Sequence, residues 1–201
     1  MSFPEYKQAL LNPVKGVQAI LDEFYHSGPS ACFFKTPPDE EAKLKREVVN
    51  NLKENFSKQL SLDLELHPLQ LVICGSAHLG FSPTPGKKLG KSFSCESSDI
   101  DLAIIHSELF DRWWSEIRMV DTEISQLNQN VVDNIFYGYI DPQHVRKNTE
   151  IGKVWWATFG KIKTERAKAI RGRLYRTHWA MQQYHSNAIL KAKAQLEGRI
   201  F

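Results

Sequence analysis

Two short apolar runs, Leu69-Gln70-Leu71-Val72-Ile73-Cys74 and Ile100-Asp101-Leu102-Ala103-Ile104-Ile105, constrain this 201-residue chain more than any other feature. Nearly continuous apolar runs of this length, closed by glycine and polar residues, read as buried strands. The first ends at Gly75-Ser76, and a loop rich in Gly, Pro, Ser and Lys, Ser82 to Ser98, separates it from the second. Val131 to Ile140, rich in β-branched and aromatic residues, predicts a third strand. Helical spacing surrounds these strands. Ala9, Leu10, Val14, Val17, Ile20, Leu21 and Phe24 predict a helix or a broken pair over 4–26, stopped by Gly28-Pro29. Leu44, Val48, Leu52, Phe56 and Leu60 recur every four residues and predict a helix over 39–60. Thr36, two prolines and the acids Asp39, Glu40 and Glu41 form its start signal. Residues 107–130 return to a helical pattern.

The expected fold class is therefore α/β in the α+β sense, a small mixed sheet with N-terminal helices and a basic C-terminal helix. Its segments are 1–66, 67–142 and 143–201, packed as one compact domain. With 42% hydrophobic residues the chain can close a core, which excludes disorder as the main state. No apolar run approaches the roughly 20 residues of a membrane span, and Met1-Ser2-Phe3-Pro4-Glu5 is not a signal segment, so a soluble cytoplasmic protein is expected. Cys32, Cys74 and Cys95 form no C-x-x-C pair and read as buried thiols.

Charge is uneven along the chain. Residues 161–201 carry ten Lys and Arg against two Glu, whereas the first 160 residues carry 16 basic and 21 acidic residues. Such asymmetry suits a C-terminal segment that meets phosphate or another polyanion, although a solvated helix has the same composition.

The chemistry concentrates in Gly75-Ser76 and in Ser98-Asp99-Ile100-Asp101-Leu102. Side chains alternate along a strand, so Asp99 and Asp101 share one face while Ile100 and Leu102 take the other. Two carboxylates side by side repel unless a cation lies between them, and Mg²⁺ suits hard oxygen ligands and phosphates alike. After a buried strand, Gly75 allows close approach of backbone to phosphate, and Ser76 adds a hydroxyl.

In these two motifs the chain resembles the nucleotidyltransferase superfamily typified by DNA polymerase beta and by small stand-alone bacterial enzymes, over roughly residues 69–140. The resemblance implies Mg²⁺-dependent transfer of a nucleoside monophosphate from a triphosphate to an acceptor, with two Mg²⁺ ions held by Asp99, Asp101 and a third carboxylate. Asp133, in Val131-Val132-Asp133-Asn134-Ile135-Phe136, fits that third role, with Asp141 and Glu123 as substitutes. Gly75 and Ser76 would hold the outer phosphates. Lys87, Lys88 and Lys91 of the long Ser82–Ser98 loop would reach phosphates if that loop is a lid, and it reads equally as an inert insertion.

If residues 161–181 are helical, Arg166 and Arg173 fall on one line beside Ile170, Leu174 and Met181, at the rim where a triphosphate would lie. Trp113-Trp114 and Trp155-Trp156 could stack a base but more often pack cores. The basic tail favours RNA, tRNA in particular, as the acceptor beside the triphosphate donor. The resemblance further implies a toxin or antiphage role with an antitoxin or other partner. Two alternatives stay open: transfer to a protein, a small molecule or a second nucleotide, and a non-catalytic nucleotide- or RNA-binding module.

Overall fold

A computed structural model of the protein describes residues 2–26, 30–34, 36–37, 39–86, 88–120, 129–145 and 149–199. Among them the architecture is α+β, as expected: eight α-helices around a four-stranded mixed sheet. The N-terminal stretch is a broken pair, α1 (Phe3–Leu11) and α2 (Val17–Phe24). Helix α3 (Glu40–Leu60) buries Leu44, Val48, Leu52 and Phe56, the four-residue stripe read from the sequence. Its start differs in one detail: Thr36 Oγ1 donates to the Phe33 carbonyl at 2.8 Å, so Thr36 closes the preceding turn and does not cap α3. Gly28 and Pro29, the expected stop after α2, lie outside the described residues.

Strand β1 (Leu71–Cys74) leads directly into the short helix α4 (Gly75–Leu79), and β2 (Asp99–Ile105) follows the long loop. Helix α5 (Ser107–Val120) then precedes α6 (Gln129–Phe136), and β3 (Tyr139–Ile140) precedes α7 (Glu150–Lys161). Strand β4 (Ala169–Tyr175) and helix α8 (His178–Leu196) complete the order. The sheet order is β1-β2-β4-β3; β2 runs antiparallel to β1 and parallel to β4, and β3 is antiparallel to β4.

Two expectations are overturned here. Residues 131–136 form a helix, and only Tyr139–Ile140 of the expected third strand is extended. Strand propensity spans only about 1 kcal/mol, whereas burying an aliphatic side chain contributes about 1.5–3 kcal/mol. As a helix this segment turns Val131, Asn134 and Ile135 onto one inward face, which decides the matter. The second correction is larger: the basic cluster Arg171-Gly172-Arg173 lies in β4, not on the C-terminal helix. Ile170, Gly172 and Leu174 alternate with Arg171, Arg173 and Tyr175, a period of two that places β4 beside β2 in the middle of the sheet.

The two faces of the sheet differ in kind. Leu71, Ile73, Ile100, Leu102, Ile104, Ile170 and Leu174 join residues of α3, α5 and α7 in the main apolar core. The opposite face holds Cys74, Ala103, Ile105 and Tyr175 against Ala180 and Met181 of α8 at one end, and charged residues at the other. A second cluster ties α1 and α2 to α8 through Tyr6, Leu10, Ile20, Leu21, Phe24 and Ile189.

Candidate functional site

The charged end of the α8-facing side follows from strand alternation and register. Asp99 and Asp101 share a face of β2, and Arg171 and Arg173 share the same face of β4. Pairing sets Asp101 between Cys74 and Arg171, and Ala103 beside Arg173. Arg171 Nε donates to Asp99 Oδ2 at 2.7 Å. Arg173 Nη2 donates to Oδ2 of Asp141 at 2.6 Å, and its guanidinium lies 4.6 Å from the centre of the Tyr184 ring. Tyr139, Tyr175 and Tyr184 form a mutually packed trio around that cation.

Gly75 brings α4 against this group. Its φ of +62° is the left-handed conformation that favours glycine, and a Cβ there would stand 3.3 Å from Asp101 Oδ2. Gly75 and Asp101 line one cavity of about 480 Å³, together with Arg171, Arg173, Asp141 and Tyr139. Tyr184, His185, Asn187 and Lys191 of α8 close it opposite the sheet, and Pro83 to Pro85 enter from the long loop. Because β3 pairs only with Leu174 and Tyr175, the cavity also reaches round the outer edge of β4 to Trp155, Trp156 and Phe159.

The remaining sequence-predicted site residues are placed less directly. Ser76 is half-buried in α4 and does not line the cavity, and Asp99 is joined to it through Arg171. Asp133 is not in a strand: it is exposed on α6, where its carboxylate accepts from Gln129 Nε2 at 2.7 Å. Of its two substitutes, Glu123 lies outside the described residues, and Asp141 is buried in the cavity wall. Asp141 Oδ1 accepts the Gln143 amide while Oδ2 holds Arg173. Arg166 precedes β4 and pairs with Glu40 at 3.7 Å, so it does not share a helical line with Arg173.

Lys87 lies outside the described residues, and Lys88 and Lys91 are exposed away from the cavity. Their loop is anchored, not free: Gly86 N–H donates to Gln195 Oε1 at 2.5 Å, and Phe81 bridges to Ser92. His78 is buried and shares a 3.3 Å hydrogen bond with Ser30 Oγ, away from the cavity. Trp113 and Trp155 pack together in the main core, with Trp113 Nε1 donating to Thr149 Oγ1. Sequence reasoning missed Arg171, Lys191 and the tyrosine trio. The signal for Arg171, Arg173 and Tyr175 was present in the alternation of Ile170 to Tyr175.

Electrostatics make Asp101 the most poised group. Its carboxylate is open to the cleft and has no hydrogen bond or ion pair among the described residues. Crowding by surrounding protein raises its pKa; Arg173 pulls it back down, and Asp99 pushes it up again. The Cys74 thiol, pushed up to about 12 by burial, is not an activated nucleophile. No group of three His, Cys, Asp or Glu placed to hold a metal forms among the described residues. The Asp99–Asp101 pair offers a hard cation oxygen ligands on one strand face beside Gly75, with Asp99 holding Arg171 and Asp101 under the pull of Arg173.

No known protein family, curated protein or solved structure matches the chain. No helix among the described residues is long and apolar enough to cross a membrane.

Proposed function

We propose that the protein is a cytoplasmic, Mg²⁺-dependent nucleotidyltransferase that binds a nucleoside triphosphate between the sheet and α8. The observation that carries this reading is the meeting of left-handed Gly75 with Asp101 at the wall of a cavity that also presents Arg171, Arg173 and Lys191. Asp99 and Asp101 would hold Mg²⁺, which supplies activation of an attacking hydroxyl and neutralisation of phosphate charge. Gly75, lacking a Cβ, lets the turn close tightly on Asp101 at the cavity wall, where the backbone can approach a phosphate. Arg171, now on Asp99, and Lys191 supply the cations that phosphates require, and Arg173 is held by Asp141 for the same task. Catalysis in such a site is positioning and electrostatics, with no covalent nucleophile. RNA is the acceptor we favour, and a toxin or antiphage role accords with the resemblance.

One feature favours a second reading. The Arg171–Asp99 pair satisfies one of the two carboxylates without a metal, as a non-catalytic nucleotide-binding module would.

The test incubates the protein with Mg²⁺, each of the four α-³²P nucleoside triphosphates and total RNA, then separates RNA, protein and free nucleotide. Label in RNA is expected, falling at least about a hundredfold in Asp99→Ala and Asp101→Ala with the circular dichroism unchanged. Label in protein or a new small species would move the acceptor. Nucleotide binding with no label would establish the second reading.

A further inference from the structure

Beside the cavity, α5, the turn from α6 to β3 and the start of α8 enclose a second groove of about 510 Å³. Its rim carries large aromatic side chains that packing does not account for: Phe136, Tyr137 and Trp179 are 82%, 49% and 65% exposed. Exposed apolar surface on this scale marks an interaction site. Phe136 and Tyr137 meet edge to face, 5.4 Å apart at 80°, an arrangement that covers one face of one ring and leaves the other faces unused.

Cations are interleaved with these rings. Arg176 stands in the groove wall, held by Asp111 through contacts of 3.0 and 3.2 Å, and Arg118, exposed on α5, lies 5.8 Å from the centre of the Trp114 ring, which lines the groove. Tyr137 lines both this groove and the cavity that holds Asp101, so the two adjoin at that side chain.

We propose that this groove binds single-stranded nucleic acid, with bases stacked on Phe136, Tyr137 and Trp179, phosphates facing Arg118 and Arg176, and one strand end directed past Tyr137 toward the cavity. The inference rests on the nucleotide reading of that cavity for its direction. Ring faces set among guanidiniums suit unpaired bases, which offer a π-face at every position and a phosphate between positions. A duplex keeps its base faces stacked inside and cannot use the rings.

The test is fluorescence anisotropy with a 5′-labelled mixed-sequence strand of about 12 nucleotides, within the site sizes such surfaces cover. RNA, DNA and an RNA duplex are titrated at one fixed ionic strength. Saturable binding of a single strand is expected, weakened about tenfold or more in the duplex, and the RNA and DNA arms show which strand is preferred. Phe136→Ser and Trp179→Ser, both surface changes, each raise Kd about tenfold. No saturable binding of either strand, equal binding of duplex, or unaltered Kd in both ring variants overturns the proposal. Strand binding through the rings without nucleotide transfer would leave the groove standing and remove the transferase reading. Transfer with ring-independent binding would do the reverse.

Discussion

At the scale of single residues, the contrast between Asp133 and Asp141 matters most. Asp133 is exposed on α6, and Asp141 is buried against Arg173 in the cavity wall. Asp133→Ala is therefore expected to change nucleotide transfer less than about twofold, as surface substitutions away from a site do. Asp141→Ala leaves Arg173 without its partner, and transfer should fall about ten- to a hundredfold, the range seen when an orienting partner is lost. Steady-state rates of the two variants decide between them. Gly75→Ala tests the cradle: a left-handed alanine costs roughly 1–2 kcal/mol, and its Cβ would press on Asp101 at 3.3 Å. A lowered denaturation midpoint together with weaker nucleotide binding is the expected result.

At the scale of elements, β4 organises both the core and the site. Its middle residue, Gly172, faces α7 so closely that a Cβ would stand 2.3 Å from the Phe159 ring and 2.8 Å from Ile104. Gly172→Val should destabilise the fold by about 1–3 kcal/mol, the usual cost of overpacking a closed core, measured by urea denaturation. Much of the surrounding fold was legible in the sequence: the stripe of α3, the broken pair α1 and α2, β1 and β2 all lie where the apolar spacing puts them. The third strand was misplaced because β-branched residues at 131–135 satisfy either period, and tertiary burial, not local preference, chose the helix. Strand β4 was missed for a different reason. Counting charge along 161–201 hid the alternation that puts Arg171 and Arg173 on one strand face. In the site, the Asp99–Asp101 pair and Gly75 were readable from spacing, whereas Lys191 and Tyr184 reach the cavity only because α8 folds back across the sheet, which no local pattern encodes.

At the scale of the whole molecule, buried imidazoles set its response to acid. Burial depresses His78 and His106 below the usual histidine value and takes His185 down to about 3. The unfolded chain protonates these rings near pH 6.5 and the folded chain only at lower pH, so stability falls as pH drops below 6.5. His185 contributes up to about 1.4 kcal/mol per pH unit between pH 6 and 4. His185→Phe, which keeps ring contacts with Tyr25 and Tyr184, should remove close to one proton from the slope when denaturation is followed at several pH values. The most direct test of the nucleotide site is isothermal titration calorimetry of a non-hydrolysable nucleoside triphosphate with and without Mg²⁺, in the wild type and in Asp99→Asn/Asp101→Asn. Tight binding that needs both Mg²⁺ and the two carboxylates is the predicted result. Binding that is indifferent to Mg²⁺ and unchanged in the double variant, or no binding at all, would contradict it.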